Sequence, residues 1–354
     1  MHPEELADGL EYILARSPAL PGRIASSILI ANPKAGGFTR RSFARRRHAE
    51  LQALVGRAAS LPLRPDPIPF RLRLTDSQGH AAALAHEYFA ETESQGPKDS
   101  YHLLMMAGGD GTSLETLVAL MQLPPERRSR YLVLRLPFGT GNDGSDGREL
   151  DSCLGRFLGP CRVASSPAMS IRRAAAGKET LWTFNIASLG ADAFIAHMTN
   201  RLKTSFPGDS YKIWVDIASV LYDSIWPSRP IRVRAFSADG KVAKDFVRDL
   251  LLVAVGVTGR RQYGSNKQIF PDDDNVIVLS RMSLFRKLAV KGPIYAGRCR
   301  SLPEAELFSA RRIVVEHDSA LLFQADGEVW RFEAEDFPAE FEILPDSYQV
   351  LAGA

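Results

Sequence analysis

Apolar positions fall into two regimes along the chain. Up to about residue 148, short unbroken apolar runs alternate with stretches whose apolar residues recur every three or four positions. The runs Ser27–Ala31, Phe70–Leu74, Tyr101–Ala107 and Tyr131–Leu136 predict strands. The sets Ala81, Leu84, Ala85, Tyr88 and Leu114, Leu117, Val118, Met121 predict helices between them. Thr75-Asp76-Ser77 is expected to cap the first of these, and Leu10, Ile13 and Leu14 mark a short amphipathic helix at the start. From about Leu150 the period changes to two. Alternating runs at Met169–Arg173, Leu181–Ile186, Ile231–Phe236, Phe246–Val257, Val276–Ser280, Arg312–Glu316 and Leu321–Ala325 predict antiparallel strands. Helices are expected at Asp192–Leu202, Tyr211–Ile225 and Met282–Ala289, and a last strand at Phe341–Val350.

Composition narrows the function classes. Hydrophobic residues at 45% and charged residues at 24% are a globular balance, and a net charge of +3 gives no support to nucleic-acid binding. Cys153, Cys161 and Cys299 have neither metal spacing nor a disulfide framework, which fits a reducing, cytoplasmic setting. The acidic N-terminal stretch does not read as a signal peptide, and the longest apolar run, Leu250–Val257, is too short to cross a bilayer. A lipid substrate would therefore be met at the membrane surface. Arg40, Arg41, Arg45, Arg46 and Arg47 read first as a solvated face, with attraction to anionic headgroups as the second reading. His80 and His86 have no partner at ligand spacing.

Candidate chemistry sits where strands end. Tyr101–Ala107 runs into Gly108-Gly109-Asp110-Gly111-Thr112-Ser113 and then a helix. Glycines let backbone approach a ligand, and a helix start supplies N–H groups for anionic oxygens. Ser27–Ala31 ends in Asn32-Pro33-Lys34-Ala35-Gly36-Gly37, a sharp turn able to aim amides at phosphates. Tyr131–Leu136 ends in Pro137-Phe138-Gly139-Thr140-Gly141-Asn142-Asp143. Strands of one parallel sheet bind ligands outside their carboxyl ends, so these loops should converge on one nucleotide. Gln262–Asp274 closes on three adjacent carboxylates, Asp272, Asp273 and Asp274, which repel unless solvated or shared with a cation. Leu322–Trp330 carries Asp326-Gly327-Glu328, readable as an Asp-Gly hairpin turn or as a carboxylate pair tuned for general-base work.

The Gly-Gly-Asp-Gly-Thr stretch resembles the signature of the diacylglycerol kinase and sphingosine kinase catalytic family, and NAD kinases carry a similar one. The Asn32–Gly37 loop and the Pro137–Asp143 loop resemble two further motifs of the lipid-kinase family, the second absent in this form from NAD kinases. Phe184–Asp192 and Asp326–Glu328 resemble two more. The resemblance implies an α/β N-terminal domain with a parallel sheet of NAD-kinase/phosphofructokinase type, followed by a mainly antiparallel β-sandwich. It places these at 24–148 and 149–334, with the tail 335–354 returning to the first. The implied activity is ATP-dependent phosphoryl transfer to an alcohol, a lipid hydroxyl such as that of diacylglycerol, with Mg²⁺ as cofactor. Nucleotide contacts are implied for Asn32, Pro33, Lys34, Ala35, Gly36, Thr75, Gly108, Gly109, Asp110, Gly111, Thr112, Ser113, Thr140 and Asn142. Catalytic roles are implied for Asp110, Asp326 and Glu328. A structural Mg²⁺ is implied at Asp274 with carbonyls of Pro271 and Val276, although Asn275 stands where the family has glycine. An Asn could take the left-handed backbone of that glycine. The chain also departs at Gly144-Ser145-Asp146-Gly147, where an apolar helix start is usual, so a more flexible crossing is expected there.

A sphingoid-base or ceramide kinase, a kinase of a soluble substrate such as NAD, and a nucleotide-binding regulator without catalysis are the alternatives. The sequence leaves the lipid open, and with it the oligomeric state, a homodimer included.

Overall fold

The structure, a computed structural model, describes residues 1–18, 20, 22–97, 99–139, 141–142, 144, 146–203, 222, 226, 229–262 and 269–353. It divides into two units, Met1–Ser166 with the tail from Pro345, and Pro167–Leu344.

The first unit begins with helix α1 (Pro3–Leu14) and strand β1 (Ile24–Ala31), then α2 (Gly36–Thr39) and α3 (Arg41–Ala58). It continues with β2 (Phe70–Leu74), α4 (His80–Thr92), β3 (Tyr101–Gly108), α5 (Asp110–Met121), α6 (Pro125–Arg128), β4 (Tyr131–Pro137) and α7 (Leu150–Leu154). Strands β1–β4 pair only in parallel, in the order β4-β3-β1-β2. Strand β4 is buried at every position, as expected for a strand covered on both faces. Leu29, Leu103, Met105, Leu132 and Leu134 meet Leu51, Leu54 and Phe157 in one core. Leu6, Leu10 and Ile13 dock the N-terminal helix on it.

The second unit contains β5 (Cys161–Arg172, which starts in the first unit), β6 (Leu181–Thr183), β7 (Ile186–Gly190), α8 (Ala191–Lys203), β8 (Pro230–Phe236) and β9 (Val242–Gly256). Then come β10 (Val276–Ser280), α9 (Leu284–Tyr295), β11 (Ala305–Phe308), β12 (Arg312–Glu316), β13 (Leu321–Ala325), β14 (Glu328–Phe332) and β15 (Ala339–Gly353). Its described pairings are antiparallel. Strand β9 serves two sheets: Val242–Asp249 pairs with β8, and Leu252–Gly256 pairs with β7. Inward residues of both, among them Val233, Ile313, Phe341, Val253 and Phe323, share one core, which makes a sandwich. Beyond Pro345 the last strand belongs to the first unit, where Gln349 and Val350 pair in parallel with Leu132 and Val133.

Several expected elements shift. The run Leu181–Ile186 is broken into β6 and β7, because the amides of Phe184 and Asn185 turn aside to bind a carboxylate described below. The helix expected at Met282–Ala289 begins two residues later and runs to Tyr295 through Pro293. The helix expected at Tyr211–Ile225 lies, Tyr222 apart, outside the described residues. Among the described residues no helix is long and apolar enough to cross a membrane.

Candidate functional site

Each predicted nucleotide contact in the first unit follows the carboxyl end of a parallel strand. Asn32, Pro33, Lys34, Ala35 and Gly36 leave β1, and Thr75 leaves β2. Gly108 ends β3, Gly109 is the N-cap of α5, and Asp110, Gly111, Thr112 and Ser113 form that helix's first turn. Asn142 follows β4 in the left-handed conformation, φ 58°. Thr140, Asp143 and Ser145 lie outside the described residues.

Short contacts tie these loops to one another. The Gly37 amide donates to Phe138 O at 2.8 Å, and the rings of Phe38 and Phe138 stack with centroids 4.3 Å apart. The Asn32 amide donates to Ala107 O at 2.9 Å, and the Thr75 amide to Ala31 O at 2.9 Å. Lys34 Nζ reaches Asp76 O at 3.1 Å. A Cβ on Gly139 would lie 2.8 Å from the Cα of Gly109, so the glycine at 139 lets these two loops touch, whereas a Cβ on Gly109 would stand at an ordinary 3.9 Å. One oxygen of Asp110 accepts the Gly144 amide at 3.1 Å. Four strand-end loops thus sit side by side at the switch point where the sheet order reverses about β1.

Two expectations about this rim change. Thr75-Asp76-Ser77 does not cap α4, whose N-cap is Gly79. Glu115 of α5 takes that role, accepting the amides of Gly79 and Ala81 at 2.8 and 3.2 Å. Asp76 instead engages Ser77 and His80, which keeps its carboxyl below the usual range. The glycine-rich departure after Asp143 is anchored rather than loose. Asp146 pairs with the nearly buried Arg135 guanidinium and accepts its backbone amide at 2.6 Å. Sequence spacing alone gave no sign of that pair, since the two residues lie on opposite sides of the loop.

In the second unit, Asp326 and Gly327 are the two central residues of the hairpin joining β13 to β14, with φ of 49° and 91°. Positive φ at both positions is the turn that suits strand twist, and Asp-Gly is well matched to it. The Asp326 carboxylate accepts four bonds: from Thr183 Oγ1 at 2.5 Å, and from the amides of Phe184, Asn185 and Ile186 at 2.7, 3.0 and 3.0 Å. Burial pushes its carboxyl up, against the pull of those donors. Burial, and not the neighbouring Glu328, is thus the cause of the shift. Gln324 orders the same turn: its Oε1 accepts the Gly327 amide at 3.0 Å, and its Nε2 donates to Ser188 Oγ at 2.9 Å. Ser188 in turn donates to Asp192 at 2.6 Å. The segment Phe184–Asp192 is therefore the turn's cradle. Glu328 opens β14 half-buried beside it.

The acidic loop is held by arginines. Arg300 donates to Asp272 at 2.8 Å and also to Asp274. Arg260 donates to Asp273, and Ser309 to Asp274, each at 2.7 Å. Partial burial pushes the Asp274 carboxyl up, but the bonds from Ser309 and Arg300 hold it below the usual range. Val276 lies inside a ladder between Val255 and Phe308, and Pro271 leads into the loop. Among the described residues no group of three or more His, Cys, Asp or Glu gathers as a metal site. The side chains that meet these carboxylates are guanidinium groups and the Ser309 hydroxyl. Asn275 also differs from expectation. It is not left-handed, and its buried amide bridges Gly256 O, Ala310 O and the Ala310 amide at 3.1, 3.0 and 2.9 Å.

Comparison with known proteins agrees with this arrangement. Residues 26–152 match the family described as the diacylglycerol kinase catalytic domain. Over 274 residues the chain is 23% identical to the "Putative lipid kinase" of Streptococcus pneumoniae, covering 76% of this chain and 84% of that one. In fold it resembles the crystal structure of a "putative diacylglycerol kinase" from Bacillus anthracis, with TM-score 0.62, 18% identity, and 94% and 99% of the two chains covered. A second Bacillus anthracis structure, of a diacylglycerol kinase, gives TM-score 0.56 at 18% identity over 94% and 98%. Kinase class and two-part architecture thus agree.

Proposed function

We propose that the protein is an ATP-dependent kinase of a lipid hydroxyl, with diacylglycerol or a related lipid as acceptor. The convergence of the loops after β1, β2, β3 and β4 supports this reading. Their mutual hydrogen bonds gather them at one rim, and the first turn of α5 adds N–H groups with no partner inside the helix. If the nucleotide enters as its Mg²⁺ complex, Asp110 would be the carboxylate to hold the ion or to orient the acceptor. The acceptor oxygen bonds to the γ-phosphorus as the bond to the bridging oxygen breaks, and ADP leaves with the electron pair. The hydroxyl gives its proton to a carboxylate base, and of the acidic pair in the second unit Glu328 is the candidate, since the oxygens of Asp326 are committed to Thr183–Ile186. Positioning and charge neutralisation supply most of the rate.

The test offers labelled ATP and Mg²⁺ with diacylglycerol, sphingoid base, ceramide and NAD, and separates products by mass. Phosphatidic acid is expected, and Asp110→Ala should lower its rate about 100-fold or more. Label entering NAD alone, or full activity in that variant, would overturn the reading.

A further inference from the structure

Two glycines within four residues, Gly144 and Gly147, give the chain after β4 little stiffness of its own. Something else must aim the Gly144 amide at Asp110 Oδ1, 3.1 Å away. Asp146 is the anchor, since two residues of chain reach at most about 7 Å from it. Its carboxylate accepts the Arg135 amide at 2.6 Å, Nε at 3.2 Å and Nη2 at 2.9 Å, and its own amide donates to Arg135 O at 3.0 Å. The described pairing of β15 with β4 reaches Val133, so Asp146 takes a strand's place beside β4 one step further on. Arg156 completes the anchor, with Nη2 on Asp146 O at 2.8 Å and Nη1 on Leu351 O at 2.7 Å.

The side chains of Arg135 and Asp146 are only 8% and 9% exposed. Apolar residues of the same volume would hold the fold as well, because the cost of desolvating two charges offsets most of their attraction. What they could not supply is direction. A guanidinium fork gripping one carboxylate fixes it in a single orientation. The fork also lies close to Asp110: a Cβ on Gly144 would stand 3.6 Å from Asp110 Oδ1 and 3.7 Å from Arg135 Nη1. Gly144 thus sits between the two, with its amide committed to Asp110. The other Asp110 oxygen, Oδ2, takes no hydrogen bond among the described residues.

We propose that Arg135 and Asp146 are positioning residues for Asp110. Their pair holds the Gly144 amide on Oδ1, which fixes the rotation of the carboxylate and leaves Oδ2 as the oxygen presented to a ligand at the rim. A displacement of about 1 Å at such a group is enough to lower a rate about 100-fold. The effect on turnover rests on the kinase reading, but the hold on Asp110 does not.

The experiment separates positioning from stability with two variants of the full chain. Asp146→Asn leaves the buried guanidinium without its counter-charge, so both melting temperature and kcat should fall. The double variant Arg135→Met/Asp146→Asn removes both charges yet keeps an amide oxygen to accept the backbone N–H at position 135, so its melting temperature should return close to wild type. Its kcat on diacylglycerol should stay about tenfold or more below wild type, with KM for ATP within about threefold. The Gly144 amide, followed in protein labelled with ¹⁵N-glycine, should exchange with deuterium about tenfold or more faster in the double variant than in wild type. A double variant whose kcat recovers with its stability would overturn the proposal, and so would wild-type exchange at Gly144 in that variant. Faster exchange there, with no lipid phosphorylated even by wild type, would uphold the hold on Asp110 and overturn the kinase reading.

Discussion

The Thr183 hydroxyl donates to the Asp326 carboxylate across 2.5 Å, and this bond gives the two acidic groups of the Asp-Gly-Glu turn different work. Asp326 fastens the turn to the β6–β7 corner. Asp326→Ala would leave three buried amides without an acceptor, at a cost of about 3 kcal/mol or more. Glu328→Gln keeps the side chain's length and should cost less stability than Asp326→Ala while lowering kcat about 10²- to 10⁴-fold. Urea melts beside turnover on diacylglycerol separate the two. A stable Asp326→Ala protein without turnover would reverse the assignment.

The loop rim depends on the contact between Gly109 and Gly139. In Gly139→Ala the new Cβ meets backbone, which cannot rotate away, so one loop must move. A loss of about 1–3 kcal/mol is expected, together with weaker nucleotide binding. Gly144→Ala is the control, because its Cβ would meet the Asp110 carboxylate at an ordinary 3.6 Å. Thermal melts with and without ATP check the pair, and equal stability of the two variants would refute the packing argument.

Glycine-rich strand ends were legible in the sequence because backbone approach demands glycine at fixed offsets from a strand. The Asp-Gly hairpin was legible for the same reason, since two positive φ values restrict the choice of residues. Long-range polar partners were not. Nothing local to Glu115 announces that it caps α4, and nothing near Asp146 announces Arg135. Three consecutive acidic residues signal a need for positive charge without saying which kind, and here Arg300, 26 residues beyond Asp274, supplies it.

The pairing of Arg300 with Asp272 and Asp274 has its own consequence. Melting of the wild-type protein should be indifferent to EDTA and to added Mg²⁺ or Ca²⁺ when nucleotide is absent. Arg300→Ala uncovers Asp272 and Asp274 while Ser309 still orients the latter. The repelling carboxylates then accept a hard cation, so the variant should melt lower and recover on adding Mg²⁺ or Ca²⁺. A wild-type melting temperature that falls in EDTA would show that a metal is bound after all.

His102 makes the first unit sensitive to acid. Its ring is buried under Tyr88 and Tyr131, with Nδ1 2.8 Å from Ser26 Oγ and Nε2 3.2 Å from the Arg130 guanidinium. Arg130 has only protons to offer, so Nε2 must present a lone pair and Nδ1 carries the hydrogen towards Ser26, whose hydroxyl also bonds Tyr88. Burial first, and then the positive charge of Arg130, lower the His102 pKa from 6.5 to about 4. The folded state therefore binds this proton more weakly than the unfolded chain does. The stability tied to neutral His102 is complete above pH 6.5 and is lost as pH falls towards 4, by about 2 kcal/mol after solvent screening. His102→Gln removes the titration, so the gap between wild type and variant in urea-melt stability should narrow across that window as pH drops. A gap that stays constant from neutral pH to pH 4 would mean that the imidazole keeps an ordinary proton affinity in the fold.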